Sequence, residues 1–342
     1  MTLLSIRDYL KRALAARADF IDERHETAFR LFNGFLEGSP ELVVDIYART
    51  LVLFNYSQDP AAARPLVEEA RSFLLGELPW VQAVVVKTRN ALEVQQRRGI
   101  LVHGAVPSRK IRENGVWYAV DLTLNLDASL YLDTRGLRGW AIEHLSAKRV
   151  LNTFAYTGSL GVAALAGGAR QVVQLDLNRR FLNLAKESYL LNGFPIRKAD
   201  FSAGDFWVQV NQLKRTGELF DCVFVDPPFF STTSRGTVDL VSQSHRVINK
   251  ARPLVAHNGW LVAINNALFL SGADYFAMLQ DLCSDGYLSI EALIPIPADL
   301  TGFPGTRAGQ PPVDPAPFNH STKIAVLRVT RKDSRPTEFT VS

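Results

Sequence analysis

The chain reads Cys222-Val223-Phe224-Val225-Asp226-Pro227-Pro228-Phe229, a short apolar run followed by an acid, two prolines and an aromatic ring. The apolar run predicts a buried β-strand. Two consecutive prolines cannot continue a sheet ladder or enter a helix interior, so they predict a rigid turn where the strand ends. Open α/β sheets bind ligands at the carboxyl ends of their strands. We therefore expect this corner to hold a planar nitrogen heterocycle, with Asp226 or nearby carbonyls at its edge and Phe229 on its face.

The sequence on both sides of this run alternates between predicted strands and helices from residue 149 onward. Apolar segments predict the strands, and Asn192-Gly193 predicts the end of a helix because these residues tolerate a left-handed cap. The alternation predicts a mostly parallel, doubly wound α/β sheet of the Rossmann-like type. The predicted strands are 150–154, 171–176, 195–201, 220–225, 260–264, 288–296 and 323–329, and the predicted helices include 179–191 and 237–256.

The residues before this alternation follow a different pattern. Short apolar segments there predict strands, and Asn114-Gly115 predicts a hairpin turn because both residues tolerate positive φ. We expect a smaller α+β domain over 1–128 and an α/β domain over 129–342. Residues 295–319 hold seven of the seventeen prolines and predict a long loop, which is either a functional lid or a solvated connector.

Composition limits the class of protein. The chain has 342 residues with 47% hydrophobic and 21% charged residues, as in ordinary globular proteins. The two cysteines show no metal-ligand spacing, so we expect no metal site. A formal charge of +4 permits a polyanionic partner such as RNA without requiring one. No apolar run is long enough to span a bilayer and no signal peptide is visible, so we expect a cytoplasmic protein without a membrane partner.

Acids or amides follow four of the predicted strands, namely Asn152, Asp176, Asp205 and Asp226. Any one of them is more often a cap or a turn residue than a ligand, but all four are expected at one edge of the sheet. Gly158 lies in the first strand-to-helix turn, where free N–H groups receive a carboxylate or phosphate. The dinucleotide fingerprint Gly-x-Gly-x-x-Gly is absent. A nucleoside with an amino-acid tail fits this set, so we expect S-adenosyl-L-methionine rather than NAD.

The chain resembles the 23S ribosomal RNA methyltransferases of the RlmI/RlmK type, which are class I S-adenosylmethionine-dependent enzymes. The resemblance covers roughly residues 28–295, and its most specific stretch is Asn152-Thr153-Phe154-Ala155-Tyr156-Thr157-Gly158. The other matching stretches are Arg30-Leu31-Phe32-Asn33-Gly34, Leu42-Val43-Val44-Asp45, Asn114-Gly115, Val120-Asp121-Leu122, Tyr131-Leu132-Asp133-Thr134-Arg135, Asp226-Pro227-Pro228-Phe229 and Asn265-Asn266.

The resemblance implies a seven-stranded methyltransferase sheet with an antiparallel last strand, preceded by an α+β substrate domain. It also implies ribosomal RNA as the partner, and the dimers among relatives make a homodimer plausible. The segment around Asp133 and Arg135 is implied to pack over the cofactor. We assign Asp133, Arg135, Asn152, Phe154, Tyr156, Gly158, Asp176, Leu177 and Asp205 to the cofactor site. We assign Asp226, Pro227, Pro228, Phe229 and Asn265 to catalysis.

Two departures from the family bear on the reaction. Relatives that form 5-methylcytosine carry a nucleophilic cysteine on the loop after the fifth strand, where this chain reads Ile264-Asn265-Asn266-Ala267. Methylation of a nitrogen in guanine or adenine is therefore the leading hypothesis. Many relatives also begin with an RNA-binding PUA module, for which there is no room before Arg30. A methyltransferase for a protein or a small aromatic metabolite is the alternative, and a non-catalytic RNA-binding protein is the alternative of another class.

Overall fold

The computed structural model describes residues 4–233, 236–239 and 241–334, without the side chains of residues 232–238 and 334. The chain divides into two compact units. The first unit contains the residues up to Arg135 together with Leu190–Gly193 and Ile296–Pro311. The second contains Gly136–Tyr189, Phe194–Pro295 and the residues from Pro312 onward.

The first unit is built on a five-stranded sheet with the order β1-β2-β3-β4-β5, in which only β3 and β4 are parallel. Apolar residues recur along one face of α1 and α3, and these faces pack on the sheet. The strands are β1 Ala28–Asn33, β2 Leu42–Tyr47, β3 Thr50–Asn55, β4 Ala83–Thr88 and β5 Ile100–His103, with a hairpin of β6 Lys110–Glu113 and β7 Val116–Ala119. The helices are α1 Ile6–Ala16, α2 Gly34–Glu37, α3 Arg64–Glu77 and α4 Val94–Arg98.

The second unit alternates helices and strands along the chain. Its helices are α5 Arg135–His144, α6 Ser159–Ala166, α7 Arg179–Leu191, α8 Phe206–Arg215, α9 Ser244–Ala251 and α10 Gly272–Cys283. Its strands are β8 Arg149–Thr153, β9 Gln171–Asp176, β10 Phe201–Ala203, β11 Phe220–Val225, β12 Phe230–Thr233, β13 Gly236–Asp239, β14 Val255–Asn265, β15 Leu288–Leu293 and β16 Lys323–Val329. A last short helix, α11 Ala298–Thr301, belongs to the first unit, and 3-10 turns lie at Ala18–Phe20, Lys198–Asp200, Arg252–Leu254 and Lys332–Ser334.

The sheet of the second unit has the order β10-β9-β8-β11-β14-β16-β15. Its first five strands are parallel, and β16 runs antiparallel to β14 and β15. This is the predicted Rossmann-like seven-stranded sheet, so the fold class is confirmed. Because the parallel strands share one direction, the residues that follow β8, β9, β10, β11 and β14 lie at one edge.

Two predicted elements of this unit are wrong. The third strand begins at Phe201 rather than 195, because a 3-10 turn holds the buried carboxylate of Asp200 against Gln171, whose Nε2 donates to it at 2.8 Å. The helix predicted over 237–256 is replaced by β13, the shorter helix α9 and the start of β14. Thr232-Thr233 and Thr237-Val238 are β-branched and flank Gly236, a composition that favours a hairpin over a helix.

The predicted domain boundary at 128 stays a prediction, and the compact units of the structure are divided differently. The first unit extends to Arg135 instead of 128, and it includes Ile296–Pro311 from the proline-rich segment. Backbone hydrogen bonds hold this segment, since the N–H groups of Ala308 and Gly309 donate to the carbonyl of Leu36 at 2.7 and 2.9 Å. Part of the predicted loop is therefore packed structure. No helix among the described residues is long and apolar enough to cross a membrane.

Candidate active site

The turn after β8 has an unusual backbone. Phe154, Tyr156 and Gly158 all have positive φ, at 54°, 51° and 77°. Positive φ is rare in aromatic residues and persists only where the surroundings impose it. The N–H of Tyr156 donates to the Asp176 carboxylate at 2.7 Å, and the N–H of Ala155 donates to the carbonyl of Leu175 at 2.8 Å. The end of β9 therefore holds this turn in its strained shape.

Asp176 closes β9 beside that turn. Its Oδ2 accepts the N–H of Tyr156 and its Oδ1 accepts the N–H of Asn178, both at 2.7 Å. Burial raises the pKa of its carboxyl above the ordinary value, although the two N–H groups act in the opposite direction. Each carboxylate oxygen has a second lone pair that can accept a further hydrogen bond. The next residue, Leu177, is 67% exposed.

Asn152 lies in a buried network beneath the turn, and its assignment to the cofactor site stays a prediction. Its Nδ2 donates to Oε1 of Gln174 at 2.8 Å, and Nε2 of Gln174 donates to the carbonyl of Gly158 at 3.1 Å. Nε2 of Gln174 also lies 3.2 Å from the hydroxyl of Tyr189. Asn152 thus holds the side chain of Gln174 in place beneath Gly158 of the turn.

Asp205 lies after β10 and caps helix α8. Its Oδ1 accepts the N–H groups of Trp207 at 2.9 Å and Val208 at 3.3 Å, as N-cap carboxylates do. The next residue, Phe206, stacks on Phe154 with ring centroids 4.5 Å apart. This stack joins the ends of β8 and β10 and leaves Asp205 at the edge of the sheet that carries Asp176.

The double-proline corner follows β11 as predicted. Pro227 is buried, whereas Asp226 is partly exposed and Phe229 and Phe230 are 48% and 60% exposed. Exposed phenyl rings on a rigid turn offer a surface on which a planar ring can stack. The corner thus carries a partly exposed acid and two exposed aromatic rings.

Asn265 ends β14 and is completely buried, where it makes two hydrogen bonds within the protein. Its Nδ2 donates to Oγ of Ser244 at 2.9 Å, and its Oδ1 accepts the N–H of Ala267 at 2.9 Å. The buried Lys323 donates from Nζ to the carbonyl of Ala267 at 3.0 Å, and burial lowers the pKa of this lysine to about 8. Asn265 therefore shapes the loop, and its role toward a substrate stays a prediction.

Sequence reasoning missed the residue that this loop presents. Phe269 is 70% exposed two positions after Ala267, whose N–H and carbonyl are both held. β14 is the neighbour of β11, so the loops that carry Phe269 and Phe229 leave adjacent strands at the same edge. An aromatic residue shortly after the end of the fifth strand was the available signal, and the Asn265-Asn266 pair obscured it.

Asp133 and Arg135 belong to the first unit. The guanidinium of Arg135 makes a two-pronged ion pair with the buried carboxylate of Asp299, with N–O distances of 2.9 and 3.1 Å. Arg135 also donates to the carbonyl of Ala28 at 2.9 Å. These contacts occupy Arg135 within its own unit, and its assignment to the cofactor site stays a prediction.

The two thiols do not face this edge as nucleophiles. Cys222 is buried in β11, and burial raises its pKa well above the ordinary value. Cys283 ends helix α10, and burial together with Asp285 raises its pKa. Within the described residues, no group of three or more histidine, cysteine or acidic side chains has the geometry of a metal site.

Comparison with known proteins identifies the family. The chain matches the S-adenosylmethionine-dependent methyltransferase family over residues 98–282, which is more than half of its length. This chain belongs to that family. The methyltransferase is 35% identical over 282 residues to ribosomal RNA large subunit methyltransferase I of Aeromonas salmonicida, a match that covers 82% of this chain and 70% of the relative. It is 30% identical over 268 residues to the protein of the same name from Photobacterium profundum, covering 75% and 67% of the two chains.

A solved structure supports the fold of the methyltransferase. A protein described as a methyltransferase and crystallised with S-adenosylhomocysteine superposes with a TM-score of 0.82, covering 96% of this chain and 83% of that one at 21% identity. The predicted resemblance and the predicted cofactor, S-adenosyl-L-methionine, are thus confirmed. The residues present fit this cofactor, because a half-buried acid, a glycine turn at a helix start and the exposed Leu177 line one sheet edge.

Proposed function

We propose that this enzyme methylates a ring or exocyclic nitrogen of guanine or adenine in large-subunit ribosomal RNA. Both relatives described above carry the name of a ribosomal RNA large subunit methyltransferase. The substrate class is proposed from those names, and the nitrogen is proposed from the chemistry of the site.

The observation that carries the nitrogen target is the placement of the thiols. Methylation at carbon 5 of cytosine requires a thiolate to add to the ring before the methyl group is transferred. The chain contains only Cys222 and Cys283. Neither lies on the loop after β14, and both have raised pKa values that keep them protonated at neutral pH. A nitrogen has its own lone pair and needs no such addition.

The cofactor supplies a methyl group on a sulfonium, which needs no further activation. We assign the ribose hydroxyls to Asp176, the apolar face of the adenine to Leu177, and the carboxylate of the tail to the N–H groups at the start of α6. Asp205 and the Phe154–Phe206 stack complete this half of the site.

The acceptor half is formed by the loops after β11 and β14. Asp226 accepts hydrogen bonds from the base edge and helps to align the lone pair of an exocyclic amine. For N7 of guanine no proton has to leave before attack. Phe229, Phe230 and the newly found Phe269 provide stacking faces for a base that is single-stranded or flipped out of a helix. Catalysis then consists mainly of holding this base in line with the methyl group.

The test is transfer of an isotopically labelled methyl group to large-subunit RNA, followed by digestion and mass spectrometry of the nucleosides. We expect methylated guanosine or adenosine from the wild type and from a Cys222→Ala/Cys283→Ala variant. Asp226→Ala should lower kcat strongly and leave cofactor affinity unchanged, because it removes a group from the acceptor half only. Labelled 5-methylcytidine in the wild-type reaction would overturn the nitrogen target. Loss of methyl transfer in the cysteine-free variant would overturn it as well. Label confined to proteins or metabolites would overturn the RNA substrate.

A further inference from the structure

A basic and aromatic face lies on the β6–β7 hairpin of the first unit, outside the proposed active site. Residues alternate across the two strands, so Ile111, Val116 and Tyr118 are buried while Lys110 is exposed and Trp117 is partly exposed on the other face. We call Lys110, Arg112 and Trp117 the hairpin face.

The two cations of this face lie over the indole ring. Nζ of Lys110 is 4.2 Å from the ring centroid of Trp117, and Cζ of Arg112 is 5.5 Å from it. Arg112 and Trp117 are paired across the strands, and Lys110 is two positions away on the same face. A ring with two cations beside it combines a stacking surface with positive charge.

The hairpin is held at both of its edges. The side-chain amide of Asn192 accepts the N–H of Trp117 at 2.9 Å and donates to its carbonyl at 2.7 Å. On the other strand the N–H of Arg112 donates to the carbonyl of Glu26 at 2.7 Å. The backbone of the hairpin face is therefore fixed before any partner arrives, which lowers the entropy cost of binding.

The sequence that leads into this hairpin is basic. Residues 97–112 contain five lysines and arginines and no acid. Arg112 has Glu26 at 3.8 Å, and the exposed Arg109 has Asp121 at 3.4 Å. Exposed pairs of this length contribute little stability, so phosphates can displace the carboxylates.

We infer that the hairpin face binds a single-stranded segment of the RNA substrate, in which phosphates draw Lys110 and Arg112 away from the indole ring and a base stacks on Trp117 in their place. This inference rests on the proposed RNA substrate. It adds an RNA-binding site that is separate from the residues assigned to the reacting base. Cationic grooves with stacking aromatic rings are the general means of binding single-stranded nucleic acid. The face therefore acts in substrate affinity rather than in methyl transfer.

The experiment measures binding of a fluorescently labelled, unstructured single-stranded RNA at several salt concentrations. We expect Lys110→Ala/Arg112→Ala to lower the slope of log Kd against log salt by about 1.4, because each of the two lost phosphate contacts contributes about 0.7 to the slope. Trp117→Ala should weaken binding about fivefold or more, and Trp117→Phe should retain most of it because a ring remains. KM for large-subunit RNA should rise in these variants, while kcat and the Kd for S-adenosylmethionine stay unchanged.

The matched control is Lys11→Ala/Arg12→Ala, which removes two exposed charges from α1 of the same unit. If the two double variants weaken RNA binding equally, or if neither weakens it, the hairpin face is not an RNA-binding site. Methylation of RNA would be unaffected by that result. A third outcome is that polyglutamate binding depends on Lys110 and Arg112 as strongly as RNA binding does, and that Trp117→Ala leaves RNA binding unchanged. The hairpin face would then be a general anion-binding patch, and the inference would be overturned. A wild type that neither binds nor methylates RNA would overturn the proposed substrate and the hairpin face together.

Discussion

At the scale of single residues, the carboxylate of Asp176 has both a structural role and a proposed binding role. It holds the strained turn through the N–H of Tyr156, and it is the acid that we assign to the ribose. Substituting it therefore affects both the geometry of the turn and a direct contact with the cofactor. The raised pKa of Asp176 offers a way to separate these effects, because ligand hydroxyls donate stronger hydrogen bonds to the ionised carboxylate than to the protonated carboxyl.

We expect cofactor affinity to fall as the pH is lowered through the raised pKa of Asp176. Protonation removes an acceptor for the ribose hydroxyls, so proton uptake competes with cofactor binding. In the ligand-free protein the free energy of unfolding depends on pH in the opposite direction. Between the ordinary and the raised pKa the folded state holds more protons than the unfolded one, so the stability contributed by Asp176 falls as pH rises. Asp176→Asn should bind about tenfold more weakly at neutral pH, without this pH dependence.

Calorimetry with S-adenosylmethionine over a pH series that runs from neutral down to the ordinary pKa of an aspartate tests this expectation. Asp205→Asn is the control, because asparagine caps a helix as well as aspartate and so preserves the start of α8. It should keep the acid-induced loss of affinity. The assignment of Asp176 fails if Asp176→Asn loses affinity on acidification as steeply as the wild type does.

At the scale of elements, helix α6 and strand β9 are packed so closely that a glycine is required between them. A Cβ on Gly161 would lie 2.1 Å from Nε2 of Gln174 and 2.8 Å from Cγ1 of Val172. Gln174 is bound to Asn152 and Gly158, so it cannot move without disturbing the turn above it.

Gly161→Ala should therefore lower the free energy of unfolding by about 1–3 kcal/mol and weaken cofactor binding as well. Gly76→Ala in α3 is the matched control, since no atom lies within 4 Å of a Cβ built there. It should raise stability by about 0.5–1 kcal/mol, because alanine loses less backbone entropy in a helix. Urea unfolding and cofactor titration of both variants provide the measurement. A Gly161→Ala protein as stable as the wild type would show that helix and strand can separate without cost.

The elements that the sequence predicted well are those encoded locally. The predicted strand 220–225 matches β11, because a buried parallel strand is rich in apolar residues, and the predicted strand 171–176 matches β9, in which Val172, Val173 and Leu175 are apolar. The β12–β13 hairpin was missed, although its β-branched residues favour strands over a helix. The burial of Asn265 was missed for another reason, since its partners Ser244 and Ala267 become neighbours only when the sheet assembles.

At the scale of the whole molecule, the first unit is completed by a segment that comes late in the chain. The buried carboxylate of Asp299 accepts the N–H of Arg30 at 2.9 Å and pairs with Arg135. Its carbonyl accepts Nη2 of Arg17 at 3.0 Å, and Arg17 is itself paired with the buried Glu37. The pair with Arg135 joins residues 164 positions apart. Local patterns cannot predict such contacts, so the sequence did not predict that Ile296–Pro311 belongs to the first unit.

We expect residues 1–128 not to fold as an independent domain. Without Asp299 the buried Arg17 loses one acceptor and the N–H of Arg30 loses another, and each unsatisfied buried donor costs about 1–3 kcal/mol. Residues 1–135 joined to 296–311 through a flexible linker should unfold in one cooperative transition. The same linked protein with Asp299→Ala should be less stable by about 3 kcal/mol, because it leaves Arg135 without its main partner. Circular dichroism during urea titration distinguishes the three proteins. If the 1–128 fragment unfolds with the same midpoint as the linked protein, the late segment is an accessory to the first unit rather than a part of its core.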